Sequence, residues 1–209
     1  MGKGENMGRT VSVFQSVKQT VRKPKSESGH SIIKGIIGGA YRKEVEPIRE
    51  KSKGGDSKGA NELKNKLPVI AWAGQFADRK KLIKHSGLLC IDIDGIGAGT
   101  QDAIGKLRKH PSVYAAFVSP RGNGVKAVFR VPPDEDMHAC AWRAAAHEAD
   151  KQTGFKADEA TKNINSLCFV SLDPEAYHNP DAVELAVSDP KQEQEAKEDE
   201  QEAKVVSPE

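Results

Sequence analysis

Along the second half of the chain, apolar residues come in short dense runs set off by turn residues. Leu88–Ile93 is apolar but for one aspartate, the pattern of a buried central strand. Residues 100–109 begin Thr-Gln and place Ala103, Ile104 and Leu107 on one helical face. Val113–Val118 and residues 125–131 predict two strands joined by a turn over residues 119–124. Residues 137–153 predict an alanine-rich helix, opened by Pro133-Asp134 and closed by Gly154. Residues 167–172 predict a last strand, stopped by Asp173-Pro174.

The first half is patterned less sharply. Residues 11–14 alternate enough for a short strand, and residues 22–31 read as a loop with Pro24 and Gly29 as breakers. Residues 32–41 carry apolar positions at 32, 33, 36 and 37, a helical stripe interrupted by Gly38-Gly39. Residues 51–59 read as a polar link, residues 63–67 as a helical turn stopped before Pro68, and residues 69–72 as a strand. Residues 1–9 are Gly/Lys-rich, which predicts disorder. From residue 188 the chain turns to Glu/Gln/Lys low complexity, a solvated acidic tail or linker. The expected fold class is α+β. The second half has the order strand–helix–strand–strand–helix–strand, the split βαβ arrangement of ferredoxin-like and RNA-recognition (RRM) folds.

Composition narrows the function classes. With 209 residues, 37% hydrophobic and 30% charged, the chain is long enough for a substantial core. A mean hydropathy of −0.60 is on the polar side for a globular protein. No stretch approaches the roughly 20 apolar residues of a membrane span, and no apolar segment follows the N-terminal charges. Cys90, Cys140 and Cys168 are far apart with no C-x-x-C pair, so buried reduced thiols and a cytoplasmic setting are expected. The net charge of +2 hides an asymmetry. Residues 1–89 carry 19 Lys/Arg against 8 Asp/Glu, whereas residues 90–189 carry 10 against 15. A basic flank beside an acidic middle suits a polyanion held next to a carboxylate-rich site, although scattered surface lysines kept for solubility give the same count.

Three local features carry chemistry. Asp92-Ile93-Asp94-Gly95 ends the first core strand, and side chains two apart on a strand share a side. Two hard oxygen ligands beside a phosphate-bearing substrate are what a magnesium site usually contains. Ser119-Pro120-Arg121-Gly122-Asn123-Gly124-Val125-Lys126 joins two strands. Its glycines allow close backbone approach to a ligand, with exposed N–H groups and the charges of Arg121 and Lys126 available to phosphate; an ordinary hairpin turn would have the same sequence. Asp158 follows the long helix and precedes Lys162-Asn163. In the split βαβ arrangement it can join Asp92 and Asp94 in a three-carboxylate cluster; a lone acid after a helix is otherwise a cap.

Together these features resemble the three motifs of the archaeo-eukaryotic primase (primase–polymerase) superfamily. The similar branch is the bacterial and mobile-element one, in which a primase-like domain precedes a VirE-type helicase. The resemblance spans roughly residues 10–182 and includes Tyr41, Arg49, Leu67-Pro68, Gly74-x-Phe76-x-x-Arg79 and Tyr177-x-Asn179-Pro180. It implies a catalytic domain over residues 10–187, with an N-terminal α/β lobe (10–87) packed on an RRM-like lobe (88–187) and the active site in the cleft between. Asp92, Asp94 and Asp158 correspond to the metal-binding acids, holding two Mg2+ or Mn2+ ions. Ser119, Gly122, Gly124 and Lys126 correspond to the nucleotide-triphosphate motif, with Arg121 beside it. Arg79 and Lys162 are further phosphate or nucleic-acid contacts. Many relatives have His where Lys126 stands, and commonly Arg where Ser166 stands.

The activity implied is joining of NTP or dNTP to a 3′-hydroxyl on a single-stranded DNA template, by two-metal catalysis. The basic half would hold the template, and a replicative helicase is an expected partner. A second reading keeps the fold but loses the chemistry: a degenerate primase-like module that binds single-stranded DNA or initiates replication. A phosphatase of the haloacid-dehalogenase type shares the strand-Asp-x-Asp-Gly start, but a hairpin after Ser119 does not suit its parallel sheet.

Overall fold

The computed structural model describes residues 9–18 and 23–188. The expected disordered start and acidic tail lie almost wholly outside them. The chain is mixed α and β, with antiparallel sheets and five helices among the described residues. One sheet is built from β6 (Leu88–Ile93), β7 (Val113–Val118), β8 (Val125–Arg130) and β10 (Tyr177–His178), in the order β10-β7-β8-β6. A second has the order β2-β1-β3-β9, from β1 (Thr10–Phe14), β2 (Lys25–Ser28), β3 (Val69–Ala71) and β9 (Cys168–Phe169). A hairpin of β4 (Gly74–Phe76) and β5 (Leu82–His85) stands apart. The helices are α1 (Gly29–Gly38), α2 (Arg42–Lys53), α3 (Ser57–Lys64), α4 (Thr100–Leu107) and α5 (His138–Thr153).

Period-2 alternation divides the first sheet between two cores. Leu89, Ile91 and Ile93 of β6 face Ile104 and Leu107 of α4 and the alanine stripe of α5. Leu88 of β6, Phe117 of β7 and Val128 of β8 face the other way, packing with Ile32 and Ile36 of α1 and Ile70 of β3. This second core draws on both halves of the chain. It therefore packs residues 10–87 against residues 88–187.

Several expectations are corrected. Of the loop expected over residues 22–31, residue 22 lies outside the described residues, Lys25–Ser28 pairs with β1 as an edge strand, and α1 begins at Gly29. An edge strand with polar side chains carries no apolar signature. Ser28 then caps α1, its Oγ accepting from Ser31 N–H at 3.1 Å. Residues 51–59 are not a flexible link either, since α2 runs to Lys53 and α3 starts at Ser57. Asp56 caps α3 by accepting from Gly59 N–H at 2.8 Å. The strand expected over residues 167–172 shrinks to Cys168–Phe169 and pairs with β3, not with β6. The edge of β6 is met instead by Asp158, whose N–H donates to the Asp92 carbonyl at 2.8 Å.

Candidate functional site

One cross-strand pair founds the site. Asp92 on β6 lies directly opposite Lys126 on β8, and Phe117 on β7 lies opposite Lys126. The Lys126 ammonium is buried and ion-paired to Asp92 Oδ2, while Asp92 Oδ1 is buried with no hydrogen-bond partner. Asp94, one residue past the strand end, is exposed. Asp158 arrives from the far side of α5. It opens a 3-10 turn at Glu159–Thr161, with its carboxylate accepting from Ala160 N–H at 3.0 Å. Carboxylate oxygens of Asp92, Asp94 and Asp158 all lie within 4.8 Å of one another. Like charges held that close repel unless a cation sits among them. Lys126 gives one positive charge against three carboxylates, leaving two formal negative charges. A divalent ion with a preference for oxygen ligands would neutralise these. The residues present fit Mg2+ or Mn2+.

The hairpin from β7 to β8 closes against the acids. Ser119 N–H donates to the Gly124 carbonyl at 2.8 Å, and Gly122 N–H returns to the Ser119 carbonyl at 2.9 Å. Gly124 N–H donates to Ser119 Oγ at 3.2 Å. The N–H groups of Gly122 and Gly124 are therefore used within the turn, which corrects the expectation that they stand open to phosphate. The two glycines serve shape instead. Gly122 has φ +87°, a conformation that favours glycine. A Cβ on Gly124 would lie 2.7 Å from the Ile93 carbonyl and 3.0 Å from Asp94 Oδ1, so only glycine lets the turn approach the acid loop this closely.

Facing the acids is a set of cations. A groove of about 190 Å³ is lined by Lys64, Asp92, Asp94, Ser119, Arg121 and Lys126, among others. Burial, then repulsion from Lys126 and Arg121, pulls the Lys64 pKa below its ordinary value. Cations crowded at a partly desolvated wall favour an anionic ligand. Arg121 is steadied by donating to Asn61 Oδ1 on α3. Arg49 of α2 braces the turn from behind, donating to the Leu172 carbonyl at 2.6 Å with its side chain beneath Gly122.

The two further expected contacts, Arg79 and Lys162, are not among the residues lining the groove. Arg79, at the tip of the β4–β5 hairpin, donates to the Asn165 carbonyl and so ties the hairpin to the segment after Asp158. Lys162 is exposed, 4.0 Å from Glu159. Ser166 is partly buried and lines a second cavity together with Asp92 and Lys126. Lys64 was not singled out by the sequence. It sits in a polar helix among many lysines, and only the packing of α3 against the hairpin brings it to the groove.

A family model described as the BT4734-like N-terminal domain matches residues 62–178, more than half of the 209-residue chain. The chain belongs to the BT4734-like family. The segment matched by this family holds all three acids, the Ser119–Lys126 turn and Lys64, and leaves out α1 and α2. No curated protein and no solved structure matches the chain. Among the described residues no helix is long and apolar enough to cross a membrane.

Proposed function

We propose that this BT4734-like chain is a metal-dependent nucleotidyltransferase of primase–polymerase type. The observation that carries the reading is the bipolar site: Asp92, Asp94 and Asp158 offer carboxylate oxygens within 4.8 Å of one another, and Asp92 and Asp94 line one groove with Lys64, Arg121 and Lys126. A nucleoside triphosphate with its divalent ions presents the complementary charges. Asp92, Asp94 and Asp158 would hold two Mg2+ or Mn2+ ions. Bound there, such ions supply a lowered pKa for an attacking 3′-hydroxyl and charge neutralisation for the leaving pyrophosphate. The protein's own groups do the rest. Lys64, Arg121 and Lys126 bind and orient the triphosphate, Gly124 lets the turn close on the acid loop, and Asn61 holds Arg121 in place. Lys126, on Asp92 in the free protein, exchanges that partner for phosphate when nucleotide binds.

In this reading, the sheet β10-β7-β8-β6 with α4 and α5 is the RRM-like half, because β6, β8 and β7 lie side by side in the split βαβ order. The elements before residue 88, joined by β9, form the other lobe, and their basic residues hold a single-stranded DNA template through its phosphates.

Primer extension on a single-stranded template with Mg2+ or Mn2+ tests the proposal, comparing the wild type with Asp94→Asn. Asp94 is exposed, so this variant should keep the fold. Incorporation by the wild type and its loss in Asp94→Asn are the expected results. Binding of single strands with no incorporation of NTP or dNTP by either protein would replace the enzyme with a template-binding module.

A further inference from the structure

Behind the Asp92–Lys126 pair lies a second cavity, of about 20 Å³, lined in part by Asp92, Lys126, His138, Asn163 and Ser166. His138 begins α5 and is buried, 6% exposed. Its Nδ1 lies 3.3 Å from Nε2 of the equally buried His85, at the end of β5. A backbone N–H can only donate, and that of Gly87 donates to His85 Nδ1 at 3.1 Å. The His85 proton therefore sits on Nε2 and is given to His138 Nδ1, which leaves the His138 proton on Nε2. Burial pushes both imidazoles down to about 4, so both rings are neutral near pH 7 and these tautomers hold.

That chain of hydrogen bonds ends on an N–H with no protein group to receive it. His138 Nε2, Trp72 Nε1 and Asp92 Oδ1 are each buried without a protein partner. The first two are donors and the third an acceptor, and all three residues line the same cavity. Buried polar groups are as a rule hydrogen-bonded, so three of them around one small cavity call for a bridging partner. The cavity has room for about one water-sized oxygen, and a buried water needs two to four polar partners. Asn163 and Ser166 supply further polar groups in its wall.

We propose that one water molecule is bound in this cavity, accepting from His138 Nε2–H and donating to Asp92 Oδ1, which makes His138 a positioning residue for Asp92. The role of Asp92 as an ion ligand rests on the function proposed above, whereas the water site does not. His85 fixes the His138 tautomer, His138 fixes the water, and the water fixes the rotation of the carboxylate. Hydrogen-bonded partners behind a ligating group commonly account for 10- to 100-fold in metal affinity.

The test has two arms. A crystal structure with ordered solvent should show an oxygen within roughly 2.7–3.2 Å of both His138 Nε2 and Asp92 Oδ1, with 15N NMR reporting Nε2–H tautomers for His85 and His138. A cavity without such an oxygen, or a proton on His138 Nδ1, overturns the proposal. In the second arm, Mn2+ is titrated into the wild type, His138→Phe and His138→Gln. His138→Phe, which fills the space but donates nothing, should weaken Mn2+ binding by about 10- to 100-fold. His138→Gln, which keeps an N–H near the Nε2 position, should recover much of the loss. Equal Mn2+ affinity in the wild type and His138→Phe overturns the positioning role. If the wild type binds no Mn2+, the ion-ligand reading of Asp92 fails, and the water site is decided by the crystal structure alone.

Discussion

Replacing Lys126 by methionine removes the ammonium from the centre of the site and leaves a stem of similar volume. The Lys126 and Asp92 side chains are only 8% and 15% exposed, so the substitution strands a buried carboxylate beside Asp94 and Asp158. Breaking a buried pair by removing one partner costs about 3–5 kcal/mol. At about 2–4 °C per kcal/mol for a chain of this length, Tm should fall by roughly 6–20 °C. Divalent ion changes the comparison, since it can replace the missing charge with no ammonium to displace. Saturating Mn2+ should therefore raise the Tm of Lys126→Met more than that of the wild type. Its Mn2+ affinity should rise while its affinity for nucleoside triphosphate falls. The assay is differential scanning calorimetry with and without Mn2+, beside ion and nucleotide titrations. Adding Asp92→Asn to Lys126→Met should return much of the stability, because the stranded charge is gone. A Lys126→Met protein that melts with the wild type in metal-free buffer would show that the buried Asp92 carboxylate does not depend on the ammonium. So would an equal Mn2+ shift in the two proteins.

Gly124→Ala should destabilise by about 1–3 kcal/mol and weaken Mn2+ binding, because its Cβ must displace the Ile93 carbonyl 2.7 Å away and crowd Asp94; urea unfolding and ion titration check both. Stability should also fall on acidification. His85 and His138 are held at about 4 by burial, against an ordinary 6.5, so the unfolded chain binds more protons across that interval. Their contribution is complete above pH 6.5 and is lost as pH falls towards 4, each worth on the order of 2–3 kcal/mol; a flat unfolding free energy between pH 7 and 4.5 in the wild type would contradict this. Binding of single-stranded DNA should weaken steeply with salt and vary little with sequence, as fluorescence anisotropy over a salt series would show.

Much of the second half could be read from the sequence, because β6, β7, β8, α4 and α5 each bury a dense apolar face. Elements with little apolar content could not. The edge strand β2 is KSES, and α2 buries only Val45 and Ile48 over twelve residues. Tertiary pairing, rather than their own pattern, makes these segments regular. An apolar run also does not name its partner strand. Residues 167–172 have a strand's composition, yet Cys168 pairs with Ile70 of β3, while Asp158 meets the edge of β6. At the site, Asp92, Asp94, Asp158 and Lys126 were visible as residue types, but the ion pair between Lys126 and Asp92 follows from the β6–β8 register. Lys64, Asn61 and His138 reach the site through packing between distant segments, which no local spacing encodes. The turn glycines were visible for their backbone freedom, but not for the internal hydrogen bonds that occupy their N–H groups.

On the proposed function, the three acids and three cations together hold a metal-bound nucleoside triphosphate. The most direct measurement is a crystal structure with Mn2+ and a non-hydrolysable nucleotide, with manganese located by anomalous scattering. Manganese should touch Asp92, Asp94 and Asp158, and triphosphate oxygens should lie on Lys64, Arg121 and Lys126, with the Lys126 ammonium moved from Asp92 to phosphate. Manganese bound elsewhere, or a nucleotide lying away from this groove while Lys126 stays on Asp92, would contradict it.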